Sequence, residues 1–352
     1  MELKFDEKFF EEEERCGFKV SSLMKRCWAS QLKVLAAFDE VCLRHGLKWF
    51  AFCGTLLGAV RHGGFIPWDD DMDVCMLRPD YNRFLEFART EMKDYLVETY
   101  DYNNRETKRC NDFMGITRIN NTQKADFGEE FMNANYGFPY TVGLDVYPLD
   151  YLPKDQQTFD LVYQVYAYCI NVAFKYKSLY WQNYTPPPGN YEGIDLDKAY
   201  ADLKNVTGVK IDKNGDVPRQ LNSIAENIAQ ITKSKDAENV ACLSHLIMGH
   251  TNMIFSKDDF RAKLSAPFES GEINIPYGYE NVLKINYGEQ FIKPVNASPH
   301  EYPYYKIQER WVVDYIIKNP ELKDIITDYY LQDVYDEDPE KKVLLDKIYG
   351  KD

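Results

Sequence analysis

The stretch from Phe50 to Asp73 constrains the fold more than any other part of the chain. It begins with an aromatic, apolar segment, passes through a glycine turn at Gly54 and Thr55, and ends with four aspartates within five positions. A buried strand that stops at such a turn before a helix leaves backbone N–H groups exposed, and these groups suit a phosphate. The stretch therefore predicts a strand, a phosphate-binding turn and the start of a helix.

The aspartates lead into a second predicted strand, Asp71 to Leu77. Because side chains alternate along a strand, Asp71 and Asp73 share a face, with Cα atoms about 7 Å apart. Carboxylates this close repel each other, and a hard divalent cation relieves the repulsion. An acidic, solvated loop is the alternative interpretation. The glycine turn just upstream favours a metal site, with Asp69 and Asp70 shaping the loop before it.

A further carboxylate comes from the segment TVGLDVYPLDYLP, Thr141 to Pro153. Its apolar residues alternate along a predicted strand at Val142, Leu144 and Val146. Asp145 then stands on the opposite face, although aspartate is unfavourable in strands. Beside the Asp71 strand it would supply a third carboxylate to the same site. The alternative is a strand-end aspartate that faces water.

Composition limits the classes of function. The net charge of −14 argues against a general nucleic-acid-binding protein, which needs a basic face. The sequence has no apolar run of membrane-spanning length, and its acidic N-terminus is unlike a signal peptide. The eight cysteines form no Cys-x-x-Cys pair and are typical of reduced core residues. We therefore expect a cytoplasmic protein that meets any lipid-linked partner by transient contact with the membrane face.

Apolar spacing predicts several helices outside these strands. They cover residues 21–46, 80–92, about 155–185, 195–206, 217–232 and 236–247. Two further strands are predicted over residues 95–100 and 113–119. The segment Asp212 to Asp216 resembles a calcium loop, but Val217 stands where that loop requires glycine, so we interpret it as a turn. His245 and His250 lack the spacing of a helical metal site and are interpreted as structural.

The motif GTLLGAVRHGGFIPWDDDMDV resembles the signature of the LicD family, which includes bacterial phosphocholine transferases and fukutin-related ribitol-phosphate transferases. The resemblance extends to GLDVYPLDYLP, FSKDDF, FES with IPYGYENVLKINYGE, and His300, and it covers about residues 23–300. Glu289 departs from the pattern, since the family usually has Asp after Tyr-Gly.

The resemblance implies an α+β, nucleotidyltransferase-like fold. Its mixed β-sheet core is flanked by helices, with an additional, mainly helical insert and C-terminal helices. The implied phosphate turn is Gly54 and Thr55, with Arg61 and His62 near the phosphates. The implied ligands of one or two Mg²⁺, or alternatively Mn²⁺, are Asp71, Asp73 and Asp145, which are also the implied catalytic residues.

The predicted organisation has five regions. An acidic N-terminal arm covers residues 1–20, the nucleotidyltransferase-like core 21–153, and a mainly helical region 154–250. The C-terminal part of the LicD-like catalytic domain covers residues 251–305, and a C-terminal helical tail 306–352.

The predicted function is a LicD-type phosphotransferase. It moves a phosphocholine-type group from a CDP-linked donor, CDP-choline before others, to a hydroxyl of a cell-surface glycan such as teichoic acid or lipopolysaccharide, or to its lipid-linked precursor. CMP leaves, and Asp145 assists deprotonation. The sequence does not distinguish choline from ethanolamine or ribitol phosphate. If choline is transferred, an aromatic cage is expected around Tyr176 to Tyr184 or Tyr277 to Tyr287.

Three alternatives stay open. A metal-dependent glycosyltransferase also uses Asp-x-Asp with a nucleotide sugar, but it has no need of the Gly-Thr turn. A dehalogenase-type phosphatase requires threonine where Cys75 stands. A catalytically silent protein could bind a nucleotide or choline without turnover.

Overall fold

The computed structural model describes residues 3–99, 115–182, 184–187, 189–296, 302–335 and 337–351. Helices pack around a mixed β-sheet, which confirms the α+β class.

The strands are β1 (Glu13–Arg15), β2 (Phe18–Val20), β3 (Phe50–Ala51), β4 (Asp73–Leu77), β5 (Leu96–Glu98), β6 (Thr117–Asn120), β7 (Gly143–Tyr151), β8 (Asn239–Ala241), β9 (Phe255–Ser256), β10 (Lys263–Phe268) and β11 (Gly271–Pro276). The helices are α1 (Ser22–His45), α2 (Cys53–His62), α3 (Arg78–Glu91), α4 (Glu129–Ala134), α5 (Gln156–Tyr180), α6 (Leu196–Thr207), α7 (Val217–Ala229), α8 (Leu243–Ile247), α9 (Tyr279–Tyr287), α10 (Lys306–Lys318), α11 (Gln332–Tyr335) and α12 (Pro339–Tyr349).

The central sheet has the strand order β3-β4-β7-β6-β5, and β8 and β9 extend it from β7. The β4–β7 pairing is parallel, and the other pairings within the described residues are antiparallel. Parallel pairing puts the N-terminal ends of β4 and β7 side by side, in the register Asp73↔Asp145. The two aspartate segments singled out in the sequence therefore meet at one end of the sheet.

Helix α1 has the predicted limits because its ends carry the expected signals. The Ser21 Oγ accepts a hydrogen bond from the Met24 N–H at 3.1 Å, and Gly46 ends the helix in the left-handed conformation, at φ 63°. Its buried face includes Trp28 and Phe38. The two caps therefore set the limits of the helix, and its buried face packs against the core.

Helices α5, α6 and α7 share a second apolar core. A buried ion network joins it to the sheet: the Arg78 guanidinium donates to both Asp150 oxygens, at 2.6 and 2.9 Å, and to Glu226 at 2.6 Å. The predicted turn at 212–216 is confirmed, with Asp216 capping α7. The division into five regions remains a prediction.

Three predicted boundaries were wrong. Helix α3 begins at Arg78 rather than Asp80, because proline is tolerated in the first helical turn. Strand β4 begins at Asp73, so Asp71 lies in the loop before it. Residues 239–241 form β8 rather than helix because they pair with β7.

Some predictions fall outside the described residues, namely His300, Tyr100, and the beginning of the strand predicted over 113–119. Cys42, Cys75 and Cys169 are buried free thiols, and Cys53 is a partly buried one. Of the helices in the described ranges, none combines the length and apolar character that a bilayer crossing needs.

Candidate active site

The glycine turn and the second aspartate strand are in direct contact. The Phe52 N–H donates to the Asp73 carbonyl at 3.0 Å, and the Asp73 N–H donates to the Thr55 Oγ1 at 2.8 Å. Thr55 is buried in the first turn of α2. Its hydroxyl therefore fixes the start of β4 against the N-terminus of α2, a role that the sequence did not reveal.

Gly54 is needed because the Asp69 carboxylate packs against it. A Cβ at position 54 would lie 2.4 Å from the Asp69 Oδ2. The preceding residue, Cys53, has φ 41°, a conformation that is costly for a residue with a side chain and that recurs at functional sites. No side chain caps the N-terminus of α2, and the Asp69 carboxylate of the acidic loop, residues 63–72, lies beside Gly54 in its first turn.

Asp73 and Asp145 are cross-strand neighbours. Asp71, which is exposed, lies in the loop just before Asp73, and these three residues form one cluster of carboxylates. Burial raises the pKa of Asp73 well above its usual range, and the charges of Asp71, Asp145 and Asp69 raise it further. The Tyr147 hydroxyl donates a hydrogen bond to Asp73 and opposes this rise. The cluster is thus a concentration of negative charge that is unfavourable without a cation.

Asp145 also contacts a cation on its other side. The Arg118 Nε donates to the Asp145 Oδ1 at 3.0 Å, and the Nη2 lies 3.3 Å from the Oδ2. Burial raises the pKa of Asp145, while the Arg118 charge and hydrogen bond lower it. Arg118 therefore favours the ionised form of this carboxylate.

The three carboxylates are suitable ligands for a divalent cation, but they are not arranged as a closed metal site. Hard cations such as Mg²⁺ prefer carboxylate oxygens, and a cation would offset the repulsion among Asp71, Asp73 and Asp145. Within the described ranges, however, no group of three or more acidic, histidine or cysteine side chains is arranged to hold an ion. Asp145 is directed to Arg118 instead. The metal assignment therefore remains a prediction.

Arg61 and His62 lie in the last turn of α2, two turns from Gly54. The Arg61 Nε donates to the His62 Nε2 at 2.8 Å, and its Nη1 donates to the Phe291 carbonyl at 3.2 Å. Burial and the charges of Arg61 and Arg15 lower the pKa of His62 to about 4, so His62 is neutral at physiological pH. Both residues lie at the opposite end of α2 from Gly54, and their phosphate role remains a prediction.

Two long-range contacts hold the acidic loop in place. The Glu269 carboxylate accepts hydrogen bonds from the Phe65 N–H at 2.9 Å and from Arg15 at 2.7 and 2.9 Å. At the other end, the Asp70 carboxylate accepts a hydrogen bond from the Tyr304 N–H. Asp70 thus shapes the loop, as the sequence predicted for it.

Four further residues, which lie near the carboxylates or support the acidic loop, were not assigned to the site from the sequence, and one of them carried a signal. Tyr147 shares a strand face with Asp145, so alternation alone predicts its proximity. Arg118 and Glu269 depend on pairings between distant segments, and His245 on packing, with its ring centroid 4.7 Å from that of Tyr147.

The two predicted aromatic clusters differ in their surroundings. In the first, Trp181 and Tyr184 surround the Lys177 ammonium group, with ring centroids 4.9 and 5.5 Å from its Nζ. That cluster already contains a cation of the chain itself. In the second, Tyr287 lies near Asp73: partial burial raises the pKa of Tyr287, and the nearby Asp73 carboxylate raises it further. Of the two, the second cluster adjoins the carboxylates.

Comparison with known proteins places residues 46–135 in the family described as LicD/FKTN/FKRP, nucleotidyltransferase domain. This range includes the glycine turn and the acidic loop, and it ends before Asp145. The chain is 42% identical over 76 residues to the lipopolysaccharide cholinephosphotransferase LicD of Haemophilus influenzae, covering 22% of the chain and 26% of that relative.

Two uncharacterized proteins are also similar. One, from Rickettsia typhi, is 37% identical over 67 residues, which is 17% of the chain and 22% of the relative. The other, from Rickettsia prowazekii, is 46% identical over 41 residues, which is 12% of the chain and 15% of the relative. The matched segment thus spans about a quarter or less of each of these three relatives.

Proposed function

Since the chain belongs to the LicD family, we propose that it is a phosphotransferase acting on a surface glycan. The donor is a CDP-linked phospho-alcohol, with CDP-choline first among candidates, and the acceptor is a hydroxyl of the glycan or of its lipid-linked precursor. CMP is the leaving group. The cytoplasmic face of the membrane is the proposed place of contact with a lipid-linked acceptor.

The observation that carries this proposal is the position of Asp73 and Asp145, side by side in the parallel register and next to the N-terminus of α2. A helix N-terminus binds phosphate through its N–H groups and dipole. Phosphoryl transfer requires mainly positioning and charge neutralisation. The helix N-terminus supports the first, and a cation held by the carboxylates would supply the second.

In the proposed reaction, the acceptor oxygen bonds to the distal phosphorus of the donor. The bond from that phosphorus to the bridging oxygen breaks, and CMP leaves with the electron pair. The hydroxyl proton passes to a carboxylate, proposed to be Asp145, whose ionised form Arg118 favours. Mg²⁺ bound by Asp71, Asp73 and Asp145 would neutralise the diphosphate charge.

The experiment compares Asp71→Asn and Asp73→Asn by CMP release from CDP-choline in Mg²⁺ buffer. Loss of charge stabilisation should cost several kcal/mol, or about a thousandfold in rate. Asp160→Asn is the matched control, because Asp160 is exposed on α5 and accepts a hydrogen bond from the neighbouring Gln156. Turnover close to wild type in both site variants would contradict the assignment.

The same assay separates the alternatives. Release of UDP from a nucleotide sugar would identify a glycosyltransferase. Thermal stabilisation by CDP-choline without turnover, and without dependence on Mg²⁺, would identify a binding protein. A panel of CDP-linked choline, ethanolamine and ribitol donors determines the group transferred.

A further inference from the structure

Arg118 belongs to a row of three charged residues that crosses the central sheet. Asp73 on β4 pairs in register with Asp145 on β7, and Asp145 pairs in register with Arg118 on β6. Residues in register on neighbouring strands project from the same face. Two carboxylates and one guanidinium therefore lie side by side on the face that carries the candidate active site.

Two other arginines of the core have different partners. Arg78 is enclosed by Asp150 and Glu226, and 6% of its side chain is exposed. Arg61 donates to its neighbour His62 and to a backbone carbonyl. The Arg118 side chain is 31% exposed and contacts a predicted catalytic carboxylate. Arg118 is therefore placed where a ligand of that carboxylate cluster would also reach it.

The negative charge of the site makes the position of Arg118 important for binding an anionic donor. Asp69, Asp71, Asp73 and Asp145 act together on the site electrostatically, and an anionic diphosphate would be repelled by them. A guanidinium presents several N–H donors in one plane, so it can contact a carboxylate and a phosphate at once.

We propose that Arg118 is a phosphate-binding residue of the donor site, donating to a non-bridging oxygen of the nucleotide diphosphate while it remains against Asp145. This inference rests on the proposed function, since it assumes a donor with a diphosphate. It assigns to Arg118 a second role beyond the neutralisation of Asp145.

The test measures binding rather than turnover. Calorimetry in Mg²⁺ buffer gives the Kd of CDP, inorganic pyrophosphate and cytidine for wild type, Arg118→Gln and Arg118→Lys. Arg118→Gln should weaken CDP and pyrophosphate binding about ten- to hundredfold, as expected for loss of a charge-assisted hydrogen bond, and leave cytidine binding unchanged. Arg118→Lys should be intermediate, because it keeps the charge but loses the planar donors.

The matched control is Arg83→Gln, which removes the same charge from an exposed position on α3 where the side chain donates to the His45 carbonyl. Its Kd values should stay within twofold of wild type. Unchanged CDP and pyrophosphate binding in the Arg118 variants would overturn the proposal. So would a parallel loss of cytidine binding, which would show that Arg118 only maintains the shape of the site.

The outcomes also separate this inference from the proposed function. If wild type binds pyrophosphate or UDP but not CDP, the CDP-linked donor is wrong, and pyrophosphate binding by the variants still decides the role of Arg118. If wild type binds no diphosphate, both proposals are overturned. If Arg118→Gln does not fold, Arg118→Lys decides, with binding equal to wild type contradicting the inference.

Discussion

At Asp73, the proposed metal-binding role conflicts with stability. Its carboxylate is buried, and its backbone is fixed by hydrogen bonds to Phe52 and Thr55. Burial and three nearby carboxylates oppose its ionisation. Asp150 is equally buried on the next strand but is paired with Arg78 at 2.6 Å. The two aspartates therefore differ in their charge partners rather than in their exposure.

We expect Asp73→Asn to be as stable as wild type, or more stable by about 1 kcal/mol, at neutral pH in metal-free buffer, because an opposed charge is removed. Asp150→Asn should instead lose about 3 kcal/mol, since it weakens a buried ion pair. Chemical denaturation of both variants in EDTA measures the difference. Similar destabilisation of the two would show that repulsion at Asp73 is unimportant.

At the scale of single residues, the sequence predicted what depends on local alternation. It placed Asp145 on the polar face of its strand, but it was wrong to put Asp71 in the same strand as Asp73, because Asp71 lies in the loop before β4. It did not predict Arg118, because the register between β6 and β7 is a relation between distant segments. Strand alternation tells which face a residue occupies, but not which residue of another strand lies beside it.

The hairpin of β10 and β11 is the element that holds one end of the acidic loop in place. Its tip residue Glu269 donates its backbone N–H to the Gly63 carbonyl at 2.8 Å. A Cβ at Gly64 would lie 2.2 Å from the Glu269 Oε1, so glycine is required for this approach. The glycine pair and the hairpin tip, both parts of motifs seen in the sequence, thus form one contact.

Gly64→Ala should destabilise the protein by about 1–3 kcal/mol and lower activity, because the new methyl group displaces the Glu269 carboxylate from the Phe65 N–H. Gly193→Ala is the control, since no atom lies within 4 Å of a Cβ there, and it should stay within about 0.5 kcal/mol. Urea denaturation and the CMP-release assay provide the two measurements.

Combining Gly64→Ala with Glu269→Ala tests whether the stability loss in Gly64→Ala comes from its contact with Glu269. If the methyl group acts through Glu269, the double variant should be little less stable than Glu269→Ala alone. Additive losses would assign the effect of Gly64→Ala to something other than this contact.

At the scale of elements, helices were predicted better than strands. Capping and apolar spacing are local, and they predicted α1 from Ser21 to Gly46. The helix predicted over 236–247 was wrong in its first part because pairing with β7 outweighed the local pattern at residues 239–241. Contacts between distant segments thus explain why the sequence did not predict β8 or the contact of Glu269 with the acidic loop.

Across the whole molecule, one buried carboxyl group outside the site should make stability depend on pH. Glu309 on α10 is fully buried and accepts hydrogen bonds from the N–H groups of Asp333 and Val334, at 3.0 and 3.1 Å. Burial, and then the charge of Asp333, raise the pKa of Glu309 to about 8, while these N–H groups and Lys306 lower it. The folded state therefore retains a proton that the unfolded state loses near pH 4.5.

Because the folded pKa is the higher one, this contribution to stability is present at acidic pH and is lost as pH rises from about 4.5 to about 8. The slope is at most about 1.4 kcal/mol per pH unit. Glu309→Gln should remove it, and Glu321→Gln, an exposed control, should not. Urea denaturation from pH 5 to pH 8 measures both variants, and parallel curves for Glu309→Gln and wild type would contradict this expectation.

The contacts that secure the acidic loop also determine when during synthesis the site can form. The loop depends on Glu269, 204 residues from its partner Phe65, and on Tyr304, 234 residues from its partner Asp70. A chain emerging from the ribosome presents its N-terminal residues first. The glycine turn and the aspartates therefore leave the ribosome long before the segments that hold them, and we expect the nascent chain to carry these motifs without a working site.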